Sequence, residues 1–206
     1  MAKAYYSCPQ CAGDVLVLAG SGKEATSRAE FLQKRGDLCD ECKKKELANE
    51  QAIKAAAATD ANRAAGLPTL TGSAKQIAWA EQIRAKTIPM LEYILIALDF
   101  LEKEKAAGGQ EAEEWRSKAT KWEHSLPNDY QLINHKAWVC AQMGLNSKSF
   151  SVLLELVRNE SNSDWWISNK NTSVEMLCLK LKDEIGFQPK EESPLRPRLR
   201  PHPRTK

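Results

Sequence analysis

Apolar positions along most of the chain recur at three- and four-residue intervals, the period of helices buried on one face. Leu91, Ile94, Leu98 and Leu101 fall in such steps, and Met90, Tyr93, Ala97 and Phe100 line the adjacent face. The segment 90–101 therefore predicts a helix buried on most sides, as the centre of a bundle or half of a dimer interface, with a monomer core the default. Pro89 in front of it predicts a kink or a restart, and Gly108-Gly109 a break after it. Ala112, Trp115, Ala119, Trp122 and Leu126 form the stripe of a next helix that stops at Pro127. Asn128 or Asp129 is the expected cap of a helix carrying Tyr130, Ile133, Ala137, Cys140 and Met143 and ended by Gly144. Asn146 or Ser147 caps another, with Phe150, Leu153, Leu154 and Val157 inside. Thr172-Ser173-Val174-Glu175 reads as a capping box opening a last helix through Ile185, stopped by Gly186. Short amphipathic helices joined by turns of a few residues predict a helical bundle over 67–187.

The pattern is different before residue 67. Val15–Leu18 reads as a short strand, and Glu24–Arg35, closed by Gly36, as a short helix. Asp40–Ala65 reads as one helix stopped by Gly66 and Pro68. Residues 43–66 hold nine alanines but only two large aliphatics, Leu47 and Ile53. Such a helix buries little and is expected to be a semi-rigid spacer, close packing through its alanines being the alternative.

Four of the six cysteines form two matched pairs, Cys8-Pro9-Gln10-Cys11 and Cys39-Asp40-Glu41-Cys42. Two thiolates three residues apart can hold one ion while the backbone turns around it, and Gly13 is the expected relief of that turn. The second pair runs straight into helix-forming residues, so it is expected at a helix N-terminus, where the dipole favours thiolate charge. The 27 residues between the pairs exceed ordinary zinc-ribbon spacing, and the strand and helix they contain fit a treble-clef-like arrangement. The expectation is one structural Zn²⁺ held by Cys8, Cys11, Cys39 and Cys42, with no open coordination position for catalysis. Matched pairs disfavour a redox reading of Cys-Pro-Gln-Cys. Few large apolar residues lie in 1–42, so metal binding would supply what the core lacks. Gly20-Ser21-Gly22-Lys23 lacks the first glycine and the Ser/Thr of a phosphate loop. Cys140 and Cys178 stand apart in apolar segments. The fold class is mainly α: a small N-terminal treble-clef or zinc-ribbon-like module (1–42), the spacer helix (43–66), the bundle and a tail (188–206).

Leu67-Pro68-Thr69-Leu70-Thr71-Gly72-Ser73-Ala74-Lys75-Gln76-Ile77-Ala78-Trp79-Ala80-Glu81-Gln82-Ile83-Arg84 is the most distinctive stretch. Ser73 and Gln76 make a capping box, and Lys75 lies one turn from Trp79, the spacing at which an ammonium stacks on a ring. Trp79 and Ile83 at helical spacing favour core over a binding patch. Trp165-Trp166 lie between helices in a Ser- and Asn-rich run, where core and contact-site readings weigh equally. The partner-binding candidates are Lys75, Trp79, Arg84, Trp165 and Trp166. This stretch, the two-knuckle module before it and Asp164-Trp165-Trp166-Ile167 together resemble a family of bacterial proteins often carried on mobile elements. The likeness covers about residues 5–84 well and 161–180 loosely; 88–160 lie outside it. It implies an architecture and a mobile-element setting, not a reaction.

Charge changes the picture only at the end. The formal net charge is +3, but residues 1–66, 67–126, 127–189 and 190–206 balance at +1, −1, −1 and +4. A near-neutral body argues against a folded surface that clamps duplex nucleic acid, and against mimicry of it. Five of nine prolines lie between Pro189 and Pro203, alternating with arginine, which predicts a disordered basic tail. Arg196, Arg198, Arg200, Arg204 and Lys206 are its nucleic-acid candidates, a merely solubilising terminus being the bland alternative. No signal peptide or membrane-length apolar run is present, so a soluble, cytoplasmic protein is expected. His124 and His135 have no ligand-spaced neighbours, and no hydrolytic, phosphoryl-transfer or hydride-transfer motif appears. The expected function is non-enzymatic, binding a protein partner and, through the tail, nucleic acid. An inhibitor of a host defence nuclease, of the anti-CRISPR type, is the alternative, and an enzyme the third.

Overall fold

The computed structural model describes residues 1–188. It divides into two compact units, Met1–Ala57 and Ala58–Lys206. The division falls inside the helix expected to be a spacer, at neither of its ends.

The first unit opens with a hairpin, β1 (Ala2–Ser7) and β2 (Asp14–Ala19), paired antiparallel with Ala2 opposite Ala19 and Ser7 opposite Asp14. β1 is absent from the sequence expectation, although Ala2, Ala4 and Tyr6 share its inner face at period two. That face packs Tyr6, Val17 and Ala29 into a small cluster with Ala4, Val15 and Leu32, covered by α1 (Gly22–Arg35). Ser21 caps α1 through the Glu24 amide, and Gly36 ends it at φ 68. α2 (Asp40–Ala64) then runs as one helix. Leu47 and Ile53 are exposed, as a spacer requires, but Ala58 and Asn62 nearer its end are buried in the second unit.

The second unit is built around α3 (Ala74–Ala106), a single helix of 33 residues. Ser73 Oγ accepts from the Gln76 amide and Gln76 Oε1 accepts from the Ser73 amide, the expected reciprocal cap. The expected restart at Pro89 does not occur. Proline removes one hydrogen bond and costs about 3 kcal/mol in a helix interior. Here the flanking Ile88, Leu91, Ile94 and Leu98 are buried in the core, and four later helices pack on α3, so burial outweighs the break.

α4 (Gly109–His124) buries no residue completely, yet Trp115 and Trp122 set their rings against Phe100, and Trp122 against Tyr93. The expected helix cap at Asn128 or Asp129 is replaced by a 3-10 turn over Asn128–Tyr130. α5 (Ile133–Met143) begins after Leu132 at φ 73, and the Glu123 carboxylate of α4 accepts the Asn134 amide at 2.8 Å. α6 (Ser147–Asn159) has its predicted Asn146 cap, supplemented by Glu102 of α3, which accepts the Ser147 amide at 2.6 Å. Carboxylates from neighbouring helices thus occupy the positive ends of two dipoles. Trp165 and Trp166 lie within a helix, α7 (Ser163–Asn169), rather than between helices. α8 (Val174–Lys180) is capped by Ser173 through the Met176 amide and ends before Ile185; turns complete the span to Gly186. The core face of α3 is filled from within this one chain, which answers the choice left open for 90–101. Among the described residues no helix is long and apolar enough to cross a membrane.

Candidate metal centre

The first cysteine pair sits where the hairpin turns. Cys8 continues the β1 ladder, its amide donating to the Gly13 carbonyl at 2.9 Å, and the Ala12 amide returns to the Cys8 carbonyl at 2.8 Å. The left-handed residue that makes this turn is Ala12, at φ 56, not Gly13. Gly13 serves a different need: a Cβ there would stand 3.4 Å from Cys11 Sγ. The second pair opens α2, with Cys39 just before its first residue and Cys42 in its first turn. Knuckle in a hairpin plus pair at a helix N-terminus is the treble-clef relation, here with α1 inserted between them.

All four Sγ atoms lie within 4.8 Å of one another. Cys11 and Cys39 Sγ are 3.8 Å apart. A tetrahedron with metal–sulfur bonds of 2.3 Å has edges of about 3.8 Å, so the set fits one four-coordinate ion. Backbone amides aim at the sulfurs: Cys39 N–H donates to Cys8 Sγ at 3.3 Å and Cys42 N–H to Cys39 Sγ at 3.4 Å. The Cys39 amide is the main reason the Cys8 thiol is lowered to about 6, against the opposing effect of its burial. Cys42 moves the other way, to about 12, because it shares a proton with Cys39 and is buried. In the metal-free protein, Cys8 contributes stability present above its ordinary value of 9.0 and lost as pH falls through about 6. Cys42 contributes stability present below 9.0 and lost as pH rises through about 12. Tyr6, missed by the sequence reading, braces the site: its hydroxyl donates to the Leu38 carbonyl at 3.4 Å. Burial, then the charge of Asp37, raises its pKa.

In the second unit the two segments that carried the family resemblance meet. The Thr71 amide donates to the Ser161 carbonyl at 2.7 Å, the Ser163 amide to the Thr71 carbonyl at 3.1 Å, and Gln76 Nε2 to Asp164 Oδ1 at 2.6 Å. Gly72, at φ 139, faces the Ser163 side chain so closely that a Cβ would collide with its hydroxyl. Arg84 and Trp166, proposed for partners, are corrected to core: both are fully buried. Arg84 donates from Nη2 to the Pro68 carbonyl at 2.7 Å, lies 3.8 Å from Glu81, and sets its guanidinium over the Trp166 ring at 5.9 Å. Burial lowers the Arg84 pKa, against the pull of Glu81, whose carboxylate also accepts from Asn62 Nδ2. The capped stretch is therefore a clamp holding 67–73 and 161–166 to α3.

Trp79 is 45% exposed, contrary to the core preference. The cation over its ring is Lys170, at 4.1 Å, rather than Lys75, which is exposed. Trp165 is half-buried on a cavity of about 60 Å³ lined with Trp166, Ile83 and Lys170. Lys170 was missed because it follows a short helix whose position the sequence does not reveal. Cys140 and Cys178 are both buried in the core, and the Cys178 thiol together with burial pushes Cys140 strongly upward. Arg196, Arg198, Arg200, Arg204 and Lys206 lie outside the described residues. In comparisons with known proteins, no family model, no curated protein and no solved structure matches this chain.

Proposed function

We propose that this chain is a non-enzymatic accessory protein, organised by one structural Zn²⁺, that works by binding a protein partner. The observation that carries the reading is the donor set: four thiolates at tetrahedral spacing leave no coordination position for a substrate or an activated water. Zinc is the ion that an all-thiolate tetrahedral site favours in a reducing compartment, consistent with a cytoplasmic protein. In the bundle's clamp, Gln76 is paired with Asp164 and Asn62 with Glu81, and Arg84 and Ser163 are buried away from solvent. Each unit leaves apolar surface exposed, including Tyr5, Leu16, Leu18 and Phe31 on the first and Trp79, Leu132, Trp138 and Met176 on the second. The mobile-element setting rests on the sequence resemblance, and a contribution of residues 189–206 to nucleic-acid affinity rests on their charge.

Two measurements test this reading. Elemental analysis of the purified protein should find about one zinc per chain; less than half an equivalent removes its foundation. Affinity capture with the zinc-loaded chain, after nuclease treatment, should recover one stoichiometric protein. Recovery that depends on intact nucleic acid, with no protein retained after nuclease, would refute a protein-directed role. Capture of a defence nuclease would select the inhibitor function instead.

A further inference from the structure

The first unit presents an open sheet edge beside a groove. In the β1–β2 register, Cys8 donates to Gly13, which fixes the even-numbered residues of β1 as those bonded to β2. The backbone groups of Lys3, Tyr5 and Ser7 therefore point away from β2. Among the described residues only Ser7 is engaged there, its amide donating to the Gln33 side-chain oxygen at 2.8 Å. Gln33 thus does for one residue what a third strand would do for three. Among the described residues nothing bonds Lys3 or Tyr5 on that edge. Alongside runs a groove of about 490 Å³, lined by Ala4, Tyr5 and Tyr6 of β1 and by Ala29, Glu30 and Lys34 on one face of α1.

We infer that this edge is the partner-binding site, and that it takes an extended segment of a protein partner as a third strand. The mode is main-chain pairing to an exposed edge, with side-chain pockets giving selectivity. The inference rests on the protein-binding role proposed above and names where and how that binding occurs. The groove also sets the sequence of the occupant. Glu30 and Lys34 are one helical turn apart, about 6 Å along the axis. Alternate residues of a strand are about 6.8 Å apart and share a face. A strand in the groove thus sets a cation against Glu30 and, two residues away toward Ser7, an acid against Lys34. The residue between them faces the other way, beside Tyr5, whose side chain is 60% exposed next to Leu16 and Leu18. In an antiparallel strand, the pairing β1 already makes with β2, that middle residue is apolar and its own N–H and C=O are the groups that pair with the edge. The recognised pattern is a charged–apolar–charged triplet of opposite signs, in the order fixed by strand direction.

The test uses the zinc-loaded full chain and a displayed library of random 12-residue peptides. Selected peptides should carry the triplet. In synthetic versions, N-methylation of the apolar residue should weaken binding about tenfold or more, while N-methylation of either charged residue changes it less than about twofold. Glu30→Lys with Lys34→Glu, both exposed, should lose the selected peptide and recover binding to one with its charges exchanged. Equal effects of methylation at both parities, indifference to the charge exchange, or a library that yields no binder would overturn the inference. So would a concentration-dependent dimer abolished by Tyr5→Pro with zinc retained, since a second copy would then own the edge. A captured partner that binds the charge-exchanged chain unchanged would overturn the edge site and leave the protein-binding role standing.

Discussion

In Met1–Ala57 the buried apolar cluster consists of Tyr6, Val17 and Ala29, whereas in the second unit one cluster runs from Leu70 to Phe187 and includes Trp166, Phe150 and the buried face of α3. The first unit gathers four sulfurs in place of a core, and the second gathers a core that also holds a buried Arg84–Glu81 pair. Burying apolar surface contributes about 25 cal/mol per Å², so a handful of residues cannot order a small module against its chain entropy. A tetrathiolate ion can, at about 10–16 kcal/mol. The difference teaches where each unit is fragile: one at a single ligand shell, the other at its packing.

The largest expected effect separates the two. Chelation, or Cys8→Ser with Cys39→Ser, should unfold the first unit, by about 10–16 kcal/mol, and leave α3–α8 protected in hydrogen exchange. Concerted loss of protection in both units would break the comparison. Acid should do the same, because protons compete with the metal for the thiolates and the ion is released as they are protonated. Absorbance of a Co²⁺-substituted protein during acid titration would show it.

Next in size is Arg84→Ala. It strands the Glu81 carboxylate in the core and should cost the second unit about 3–5 kcal/mol in urea unfolding, with metal content unchanged. Gly72→Ala adds both a collision with Ser163 and a positive φ unsuited to alanine. It should cost about 1–3 kcal/mol, again only in the second unit. The smallest change has the opposite sign. Ala12→Gly relaxes the left-handed residue just after the knuckle cysteines and should stabilise the metal-loaded first unit by about 0.5–1 kcal/mol in thermal unfolding.

The four-cysteine cluster was legible because its chemistry is written locally: two pairs of cysteines three apart can close on one ion wherever the chain between them goes. Ser73–Gln76, Asn146 and Gly144 were legible for the same reason, since a cap is decided within one turn. Misread residues depended on distant neighbours. Pro89 looked like a break until the buried aliphatics Ile88, Leu91, Ile94 and Leu98 of α3 held the helix through it. Asn128 looked like a cap, but Glu123 supplies that charge from the previous helix. Arg84 looked like a surface cation, and its burial follows from a carbonyl sixteen residues earlier and a ring eighty-two residues later.

By itself the sequence determined that the protein is mainly helical, that four cysteines form one site, and where most helices begin. These follow from period, spacing and capping, which act over a few residues. Only the tertiary structure decided that Trp166 is core and Trp79 surface, that Lys170 and not Lys75 stacks on Trp79, and that β1 carries an unpaired edge. Burial and strand pairing are properties of segments brought together across the chain, as Thr71 and Ser161 are across ninety residues. Local pattern cannot encode which of two similar tryptophans finds a neighbour there.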